Sequence, residues 1–368
     1  HTTGLITATI SDNDMTTLDG ITESGHALTI SVTDDWVAAS NLNVLNAKTT
    51  VAVGVTSTTV TGTYADVNDV FAANTAETIT GLGNEAITLS ETITVAQLNN
   101  IASHTTGLIT ATISDNDMTT LDGITESGHA LTISVTDAVV VAADLNALDS
   151  KTTGAVTVTS TMIAGSAAEI NTIYVAKAAG TISGLGDEDL IITDPNISAA
   201  SLSTLDANTT GTLNALAVTT ITGSVAEINT IYAAKAAGTI SGLGDENVIA
   251  TGALTVTETN TISASTTGII TATLSSTAIA DLQALTTAST DQLTITIADT
   301  TVDAANLNIL DTKTHVAVNT ATITTLFGTY ADLLDSYNAS SEGTITGLGN
   351  EAITLSETIT VAQLNNIA

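Results

Sequence analysis

The sequence contains closely spaced acidic residues, whose type and spacing suit the binding of a metal ion. Asp12 and Asp14 lie on either side of an asparagine in a Ser-Asp-Asn-Asp run, which recurs at Asp115 and Asp117. Carboxylate and amide oxygens that converge in a turn are the hard ligands that Ca²⁺ prefers. We therefore predict calcium binding at these four aspartates. The same prediction covers the acids of two later turns: Asp187, Glu188, Asp245 and Glu246.

The same acids have a second interpretation, as helix caps and solvated turns. Asp14 comes directly before the segment 15–21, where an acceptor side chain would satisfy a free backbone N–H at the start of a helix. The glycine-rich nonapeptide of calcium-binding β-rolls and the EF-hand loop are both absent from the sequence. The pattern therefore leaves both roles open.

Histidine is the residue type best suited to catalysis, but its positions argue against an enzyme. His26 and His129 are copies of one position in a duplicated segment, as are His1 and His104, which leaves only His315. Neither a G-x-S-x-G nor an H-E-x-x-H motif occurs. We predict no enzymatic activity, no catalytic residues and no cofactor-binding residues.

The charge balance excludes several classes of partner. The 368-residue chain has 38 acidic residues, 5 basic residues and a formal net charge of −33. Binding to nucleic acid or to an anionic membrane surface requires a basic patch, which this composition lacks. Cysteine is absent, so disulfides and thiolate metal sites are excluded. The chain is 43% hydrophobic without an apolar run near the ~20 residues of a membrane span, so we predict a folded protein without membrane insertion.

Long internal repeats dominate the sequence. Residues 1–34 recur without change at 104–137, residues 78–102 recur at 344–368, and residues 165–188 recur nearly unchanged from Gly223. Beneath them, a strand followed by a Leu-x-x-Leu pair recurs in about fourteen segments of roughly 23–34 residues. We call these the repeat segments. They alternate in kind, so a pair of ~53 residues recurs about seven times.

Each repeat segment is predicted to form a short strand and then a short helix. Leu28, Ile30 and Val32 alternate with polar residues, which is the period of a half-buried strand. Ser224 and Glu227 have the spacing of a capping box at the start of a helix. Strands and helices that alternate at a regular spacing favour parallel stacking of equivalent strands.

These patterns predict a mainly β fold, a parallel β-solenoid with short helical turns that forms one continuous domain over residues 1–368. One turn of the chain would take either a single segment of about 26 residues or a pair of about 53. Ala368 corresponds to Ala102 and His1 to His104, so the tail of one copy would run into the head of another. We therefore expect an excerpt of a longer repeat array, or one subunit of a head-to-tail stack whose partners are further copies.

Paired threonines suggest a further activity. Thr7 and Thr9, and their copies Thr110 and Thr112, alternate along predicted strands. Threonines stacked in ranks ~4.8 Å apart resemble the ice-binding face of some antifreeze proteins. Threonine is also a soluble residue of high β propensity that suits any outward strand face. Ice binding is therefore an alternative to a purely structural role.

Three motifs resemble repeats of a known group of proteins. Residues 145–154 read Leu-Asn-Ala-Leu-Asp-Ser-Lys-Thr-Thr-Gly, residues 221–229 read Ile-Thr-Gly-Ser-Val-Ala-Glu-Ile-Asn, and residues 79–89 read Ile-Thr-Gly-Leu-Gly-Asn-Glu-Ala-Ile-Thr-Leu. They resemble repeats in giant extracellular and cell-surface proteins of marine cyanobacteria, including the type associated with swimming motility. The resemblance implies an extracellular or cell-surface location and supplies no catalytic residues.

The function we expect is structural, in an extracellular filament, a sheath or a giant cell-surface layer. A calcium-dependent surface adhesin is the first alternative, and a threonine-rich ice-binding protein is the second. In each case the acidic surface would oppose non-specific association, because like charges repel.

Overall fold

The protein divides into two compact parts. The structure, a computed structural model, describes residues 2–367. The first part comprises His1–Ala164 and Ala168–Glu188, and the second comprises Gly165–Ala167 and Asp189–Ala368. The prediction of one continuous domain stays a prediction.

The first part alternates strands with helices. Its strands are β1 (Thr7–Thr9), β2 (Ala27–Val32), β3 (Trp36–Ala38), β4 (Val53–Val55), β5 (Thr59–Gly62), β6 (Ile79–Thr80), β7 (Ala86–Ile93), β8 (Ile109–Ile113), β9 (Ala130–Val135), β10 (Val139–Val141), β11 (Val156–Val158), β12 (Met162–Gly165) and β13 (Ile182–Ser183). Its helices are α1 (Met15–Leu18), α2 (Ala39–Asn46), α3 (Tyr64–Thr75), α4 (Val95–Ala102), α5 (Met118–Leu121), α6 (Ala142–Lys151) and α7 (Ala167–Ala179).

The second part continues the same alternation. Its strands are β14 (Asp189–Ile192), β15 (Asn196–Ser198), β16 (Leu213–Asn214), β17 (Thr220–Ser224), β18 (Ile240–Ser241), β19 (Asn247–Leu254), β20 (Ile270–Leu274), β21 (Gln292–Thr294), β22 (Thr301–Asp303), β23 (Val318–Asn319), β24 (Thr325–Gly328), β25 (Ile345–Thr346) and β26 (Ala352–Leu355). Its helices are α8 (Ala199–Asp206), α9 (Val225–Ala237), α10 (Val256–Ser263), α11 (Ile279–Leu282), α12 (Ala304–Asp311), α13 (Tyr330–Glu342) and α14 (Val361–Ile367).

The strands pair in parallel, and paired strands belong to successive repeat segments. The first part contains the sheets β1-β2-β4-β6 and β13-β11-β9-β8-β7-β5-β3, and the second contains β15-β17-β19-β20-β21 and β22-β24-β26. Thr7 pairs with Ala27, and Thr59 pairs with Ala86. The chain therefore returns to the same sheet after one repeat segment and not after a pair of them.

The core of each part is aliphatic. In β2, Leu28, Ile30 and Val32 are buried, while the residues between them face solvent. In α2 the buried Leu42 and Leu45 lie one turn apart on the same face. Alternation in the strands and the Leu-x-x-Leu pairs in the helices thus bury one side of β2 and of α2, as the sequence predicts.

The expected mainly β solenoid is wrong, because the protein is α/β with several parallel sheets. Helices account for 33% of the residues and strands for 28%. The predicted short helical turns include helices such as α9, which has 13 residues. Its capping box starts the helix at Ser224, and an alanine-rich run then carries it past Tyr232 to the left-handed Gly238. Alanine has the highest helix propensity, so these helices outgrow their apolar pairs.

Candidate functional site

Asp14 and Asp117 are helix N-caps. Asp14 precedes α1 and accepts hydrogen bonds from the backbone N–H and the hydroxyl of Thr17, both at 3.0 Å. Asp117 makes the same contacts with Thr120 in front of α5, at 2.9 and 3.0 Å. The backbone hydrogen bonds, reinforced by the hydroxyls, lower the pKa of both carboxyls. These two aspartates therefore stabilise the starts of their own helices.

Asp115 caps the helix of a neighbouring repeat segment. Its Oδ2 accepts a 2.6 Å hydrogen bond from the backbone N–H of Val95, the first residue of α4. Asp12 occupies the same position in the identical segment 1–34 but accepts no hydrogen bond within residues 2–367. The same residue type in the same local sequence is thus paired in one place and unpaired in the other.

Capping between repeat segments is a general device of this protein. An acid from one segment accepts the first N–H of a helix in the neighbouring segment, at 2.6 to 2.9 Å. Such a bond pairs a backbone donor that a helix leaves free and places negative charge at the positive end of its dipole. The other pairs of this kind are Asp34 with Met15, Glu91 with Tyr64, Asp137 with Met118, Asp194 with Ala167, Asp299 with Ile279, and Glu357 with Tyr330.

Asparagines in the Leu-Asn-x-Leu motif link helices of successive segments. The side-chain amide of Asn146 donates to the backbone oxygen of Glu169 at 2.9 Å. Asn43 and Asn308 make the equivalent bonds to the backbone oxygens of Asp66 and Asp332, at 2.9 and 2.8 Å. The motif behind the resemblance to extracellular repeats therefore contains a contact between repeat segments.

Glu188 and Glu246 are buried at the Gly-Leu-Gly-Asp-Glu turns, each with 1% of its surface exposed. One oxygen of Glu246 accepts backbone N–H groups from Gly244 at 2.5 Å and Asp245 at 3.2 Å. Its other oxygen accepts the hydroxyl of Tyr232 on α9. Glu188 is held in the same way by its own turn and by Tyr174. We call this arrangement the tyrosine–glutamate clamp.

In the second part, burial and neighbouring groups shift the pKa values of the clamp residues. Burial, together with the Glu246 carboxylate, raises the pKa of the Tyr232 hydroxyl, and the Lys235 ammonium lies 5.8 Å from the ring centroid of Tyr232. Burial raises the pKa of Glu351, but the Tyr337 hydroxyl and the backbone N–H donors together hold it below its usual value. A hydroxyl that stays protonated beside a carboxylate is a permanent donor, so the clamp suits a fixed cross-link.

One clamp lacks its tyrosine. At Glu85, which is 1% exposed, two backbone N–H groups reach Oε2 at 2.6 and 3.0 Å. The residue at the tyrosine position is Phe71, whose ring stacks on His104 at 5.3 Å. Within the described part of the chain, Glu85 Oε1 is buried and has no hydrogen-bond partner.

Asp187 and Asp245 lie on the exposed side of their turns and present their carboxylates to solvent. Asp187 lines a pocket of about 290 Å³ together with Thr159, Ser160, Thr161 and Gly184. In residues 2–367 no three His, Cys, Asp or Glu side chains are grouped so that they could hold a metal ion. Calcium binding at the predicted acids therefore stays a prediction, and most of those acids already accept protein hydrogen bonds.

The segments of identical sequence differ most in how far their apolar side chains are buried. Residues 78–102 pack against 104–137 through β7 and β8, and we call this contact the internal junction. Ile109 is fully buried there and Ala111 and Ile113 are 5% exposed, whereas the counterpart Ile6 is 40% exposed. We call the counterparts in residues 2–34 the N-terminal surface, in which Ile6 is exposed and three further residues are half-buried: Ala8, Ile10 and Ile21.

The other half of the junction also has an exposed counterpart. Val95 and Leu98 of α4 are 5% and 1% exposed, whereas Val361 and Leu364 of α14 are 75% and 51% exposed. The C-terminal surface is the set Ile353, Leu355, Val361, Leu364 and Ile367. The two surfaces are thus the separate halves of a contact that the same chain makes internally.

Sequence reasoning missed the tyrosine–glutamate clamp and the caps between segments. A signal for the clamp was available, because tyrosine precedes glutamate by 14 positions at Glu188, Glu246 and Glu351. The caps between segments have no local signal, since donor and acceptor are 19 to 27 positions apart and their pairing depends on strand register.

Comparison with known proteins adds no family. No protein-family model matches the sequence, and no curated protein matches it significantly. No helix in residues 2–367 combines the length and the apolar character needed to cross a membrane.

Proposed function

We propose that this protein is a structural repeat protein of an extracellular filament, sheath or cell-surface layer. The observation that carries the proposal is how its polar side chains are used. Acidic and asparagine side chains, which could otherwise bind a ligand, form hydrogen bonds between successive repeat segments. Asp115 does so with Val95, and Asn146 does so with Glu169. Side chains engaged in this way add cohesion between segments, which a load-bearing scaffold needs.

The proposed surface location rests on the resemblance of the repeat motifs and on the charge. A net charge of −33 keeps a repetitive protein from associating indiscriminately and suits a salty exterior, where charge repulsion is screened. The lack of cysteine does not conflict with an oxidising compartment, because the segments are joined by hydrogen bonds and apolar packing.

Antibody labelling of intact cells tests the location, and electron microscopy of the purified chain tests the structural role. We expect antibodies against the 368-residue chain to label unpermeabilised cells, with an antibody to a cytoplasmic enzyme as the negative control. We also expect elongated assemblies in micrographs at high protein concentration and high salt. Labelling that requires permeabilisation would contradict the surface location, and catalytic turnover of a substrate would contradict the structural role.

A further inference from the structure

We propose that the C-terminal surface of one chain binds the N-terminal surface of a second copy in the register of the internal junction. The proposal rests on the structural function proposed above and specifies the partner and the contact. Residues 344–367 have the sequence of 78–101, and residues 2–34 have the sequence of 105–137. Because 78–102 and 104–137 pack together within the chain, two copies contain both halves of a contact already present once.

Burial of apolar surface would drive the association. At the internal junction, Ile87, Leu98 and Ile109 are each at most 1% exposed. Their counterparts Ile353, Leu364 and Ile6 are partly or largely exposed. Covering such aliphatic side chains removes apolar surface from water, so the two surfaces are complementary in chemistry as well as in sequence.

Backbone hydrogen bonds fix the register. In the internal junction the N–H of Ile87 donates to the oxygen of Leu108 at 2.8 Å, and the N–H of Ser114 donates to the oxygen of Ile93 at 2.8 Å. The same bonds between copies would join Ile353 to Leu5 of the second copy, and Ser11 of the second copy to Ile359. Strand β26 would therefore continue its sheet into β1 of the next chain.

The proposed contact gives a partner to Asp12, which accepts no hydrogen bond within residues 2–367. Its counterpart Asp115 caps Val95 at 2.6 Å, so Asp12 of the second copy would cap Val361 at the start of α14. The side chain of Asn99 likewise donates to Gly123 at 2.7 Å, which predicts a bond from Asn365 to Gly20 of the second copy.

A glycine makes the contact sterically specific. A Cβ at Gly107 would lie 2.1 Å from the backbone oxygen of Glu85, so only glycine fits at position 107 in the internal junction. A Cβ at the counterpart Gly4 would meet nothing closer than Thr2 Oγ1 at 3.3 Å. An alanine at Gly4 is therefore compatible with the separate chain and incompatible with the proposed contact, where Glu351 of the other copy takes the place of Glu85.

Charge repulsion sets the conditions for assembly. Each copy has a net charge of −33, so association should strengthen as salt rises and the Debye length shortens to about 3 Å at 1 M. Sedimentation velocity of the 368-residue chain across protein and salt concentrations measures this directly.

Disulfide trapping tests the register, because the chain has no native cysteine. Thr88 and Thr110 are paired across the internal junction, and their counterparts are Thr354 and Thr7. We expect the double variant Thr354→Cys with Thr7→Cys to form intermolecular disulfides in high salt, as a ladder on non-reducing gels. Thr88→Cys with Thr110→Cys is the matched control and should give a disulfide within one chain.

A variant with its cysteines out of register gives the second control. Thr354→Cys with Thr9→Cys should cross-link at least about five-fold more slowly, because the second cysteine is displaced by two strand residues, roughly 6.6 Å. Equal rates for the two pairs, with association intact, would overturn the proposed register while leaving the structural function standing.

The glycine supplies an independent test. We expect Gly4→Ala to weaken self-association roughly ten-fold or more while the circular dichroism and melting of the dilute chain stay unchanged. Gly54→Ala is the control, since a Cβ there would meet nothing closer than 3.8 Å. If wild-type chains stay monomeric at all salt concentrations, or if Gly4→Ala associates normally, the proposal is wrong, whereas the cell-labelling experiment judges the structural function separately.

Discussion

The internal junction and the two terminal surfaces have the same sequences in different surroundings. In the junction, α4 buries Val95 and Leu98, whereas in α14 the same residues are more than half exposed as Val361 and Leu364. The capping contact within the segment does not change, since the side chain of Gln97 and that of its counterpart Gln363 both accept the N–H of the threonine three positions earlier, at 2.8 and 2.9 Å. Local hydrogen bonds thus follow the sequence, and burial follows the neighbour that the sequence meets.

The largest expected effect comes from removing one leucine from each copy of the helix. Leu98→Ala leaves a cavity in a packed core and should lower the free energy of unfolding by about 2–5 kcal/mol. Leu364→Ala removes a half-exposed side chain and should change that of the dilute chain by less than about 0.5 kcal/mol. Urea unfolding at low protein concentration measures both, and equal losses would break the distinction between junction and surface.

The tyrosine–glutamate clamps provide a second comparison between a buried site and a more exposed one. Tyr232→Phe removes the donor to the fully buried Glu246 and should destabilise the protein by about 1–3 kcal/mol. Tyr337→Phe should cost less, because Glu351 is only half-buried and water can replace the hydroxyl. Thermal melts of both variants at pH 7 make the measurement.

The converse variant is the control for the clamp. Phe71→Tyr supplies the donor that Glu85 Oε1 lacks and should stabilise the protein by about 1 kcal/mol. A loss of stability would mean that the stacked arrangement of Phe71 and His104 leaves no space for the hydroxyl.

A smaller expected effect is a loss of folding stability at acid pH, which depends on the more buried of two duplicated histidines. Burial lowers the pKa of His129, and its Nδ1 accepts the N–H of Ile109 at 3.3 Å, so the folded state favours the neutral ring. The unfolded chain binds a proton more readily, so stability should fall as the pH drops through the ordinary histidine pKa of about 6.5. Unfolding at pH 7.5 and pH 5.5 should show this loss reduced in His129→Gln.

The matched histidine variant separates position from residue type. His26→Gln changes the more exposed copy and should leave the acid-side loss of stability in place. If His26→Gln abolished it and His129→Gln did not, the assignment of the buried copy would be wrong.

The smallest expected effect is that of calcium. Asp14, Asp115 and Asp117 already accept backbone N–H groups, and Glu188 and Glu246 are buried in clamps. Calcium should therefore raise the melting temperature no more than magnesium at equal ionic strength. A melting shift specific to calcium and reversed by EDTA would contradict this expectation and support the predicted calcium sites.

Local features of the fold could be predicted from the sequence, and the features that depend on register could not. The alternation of Leu28, Ile30 and Val32 and the capping box at Ser224 and Glu227 are confirmed in β2 and α9. The balance between helix and strand could not be predicted, because a run such as residues 233–237 at the end of α9 is alanine-rich and carries no apolar stripe. The cap from Asp115 to Val95 depends on which strands meet, which local sequence does not determine.

Hydrogen–deuterium exchange of the wild-type chain at low and high protein concentration tests the central claim most directly. The amides of Ile353 and Val361 have the counterparts Ile87 and Val95, which donate within the internal junction. We predict that Ile353 and Val361 exchange fast in dilute solution and approach the protection of Ile87 and Val95 as chains associate. Association that leaves both amides unprotected would contradict the claim that the terminal surfaces are the two halves of the internal junction.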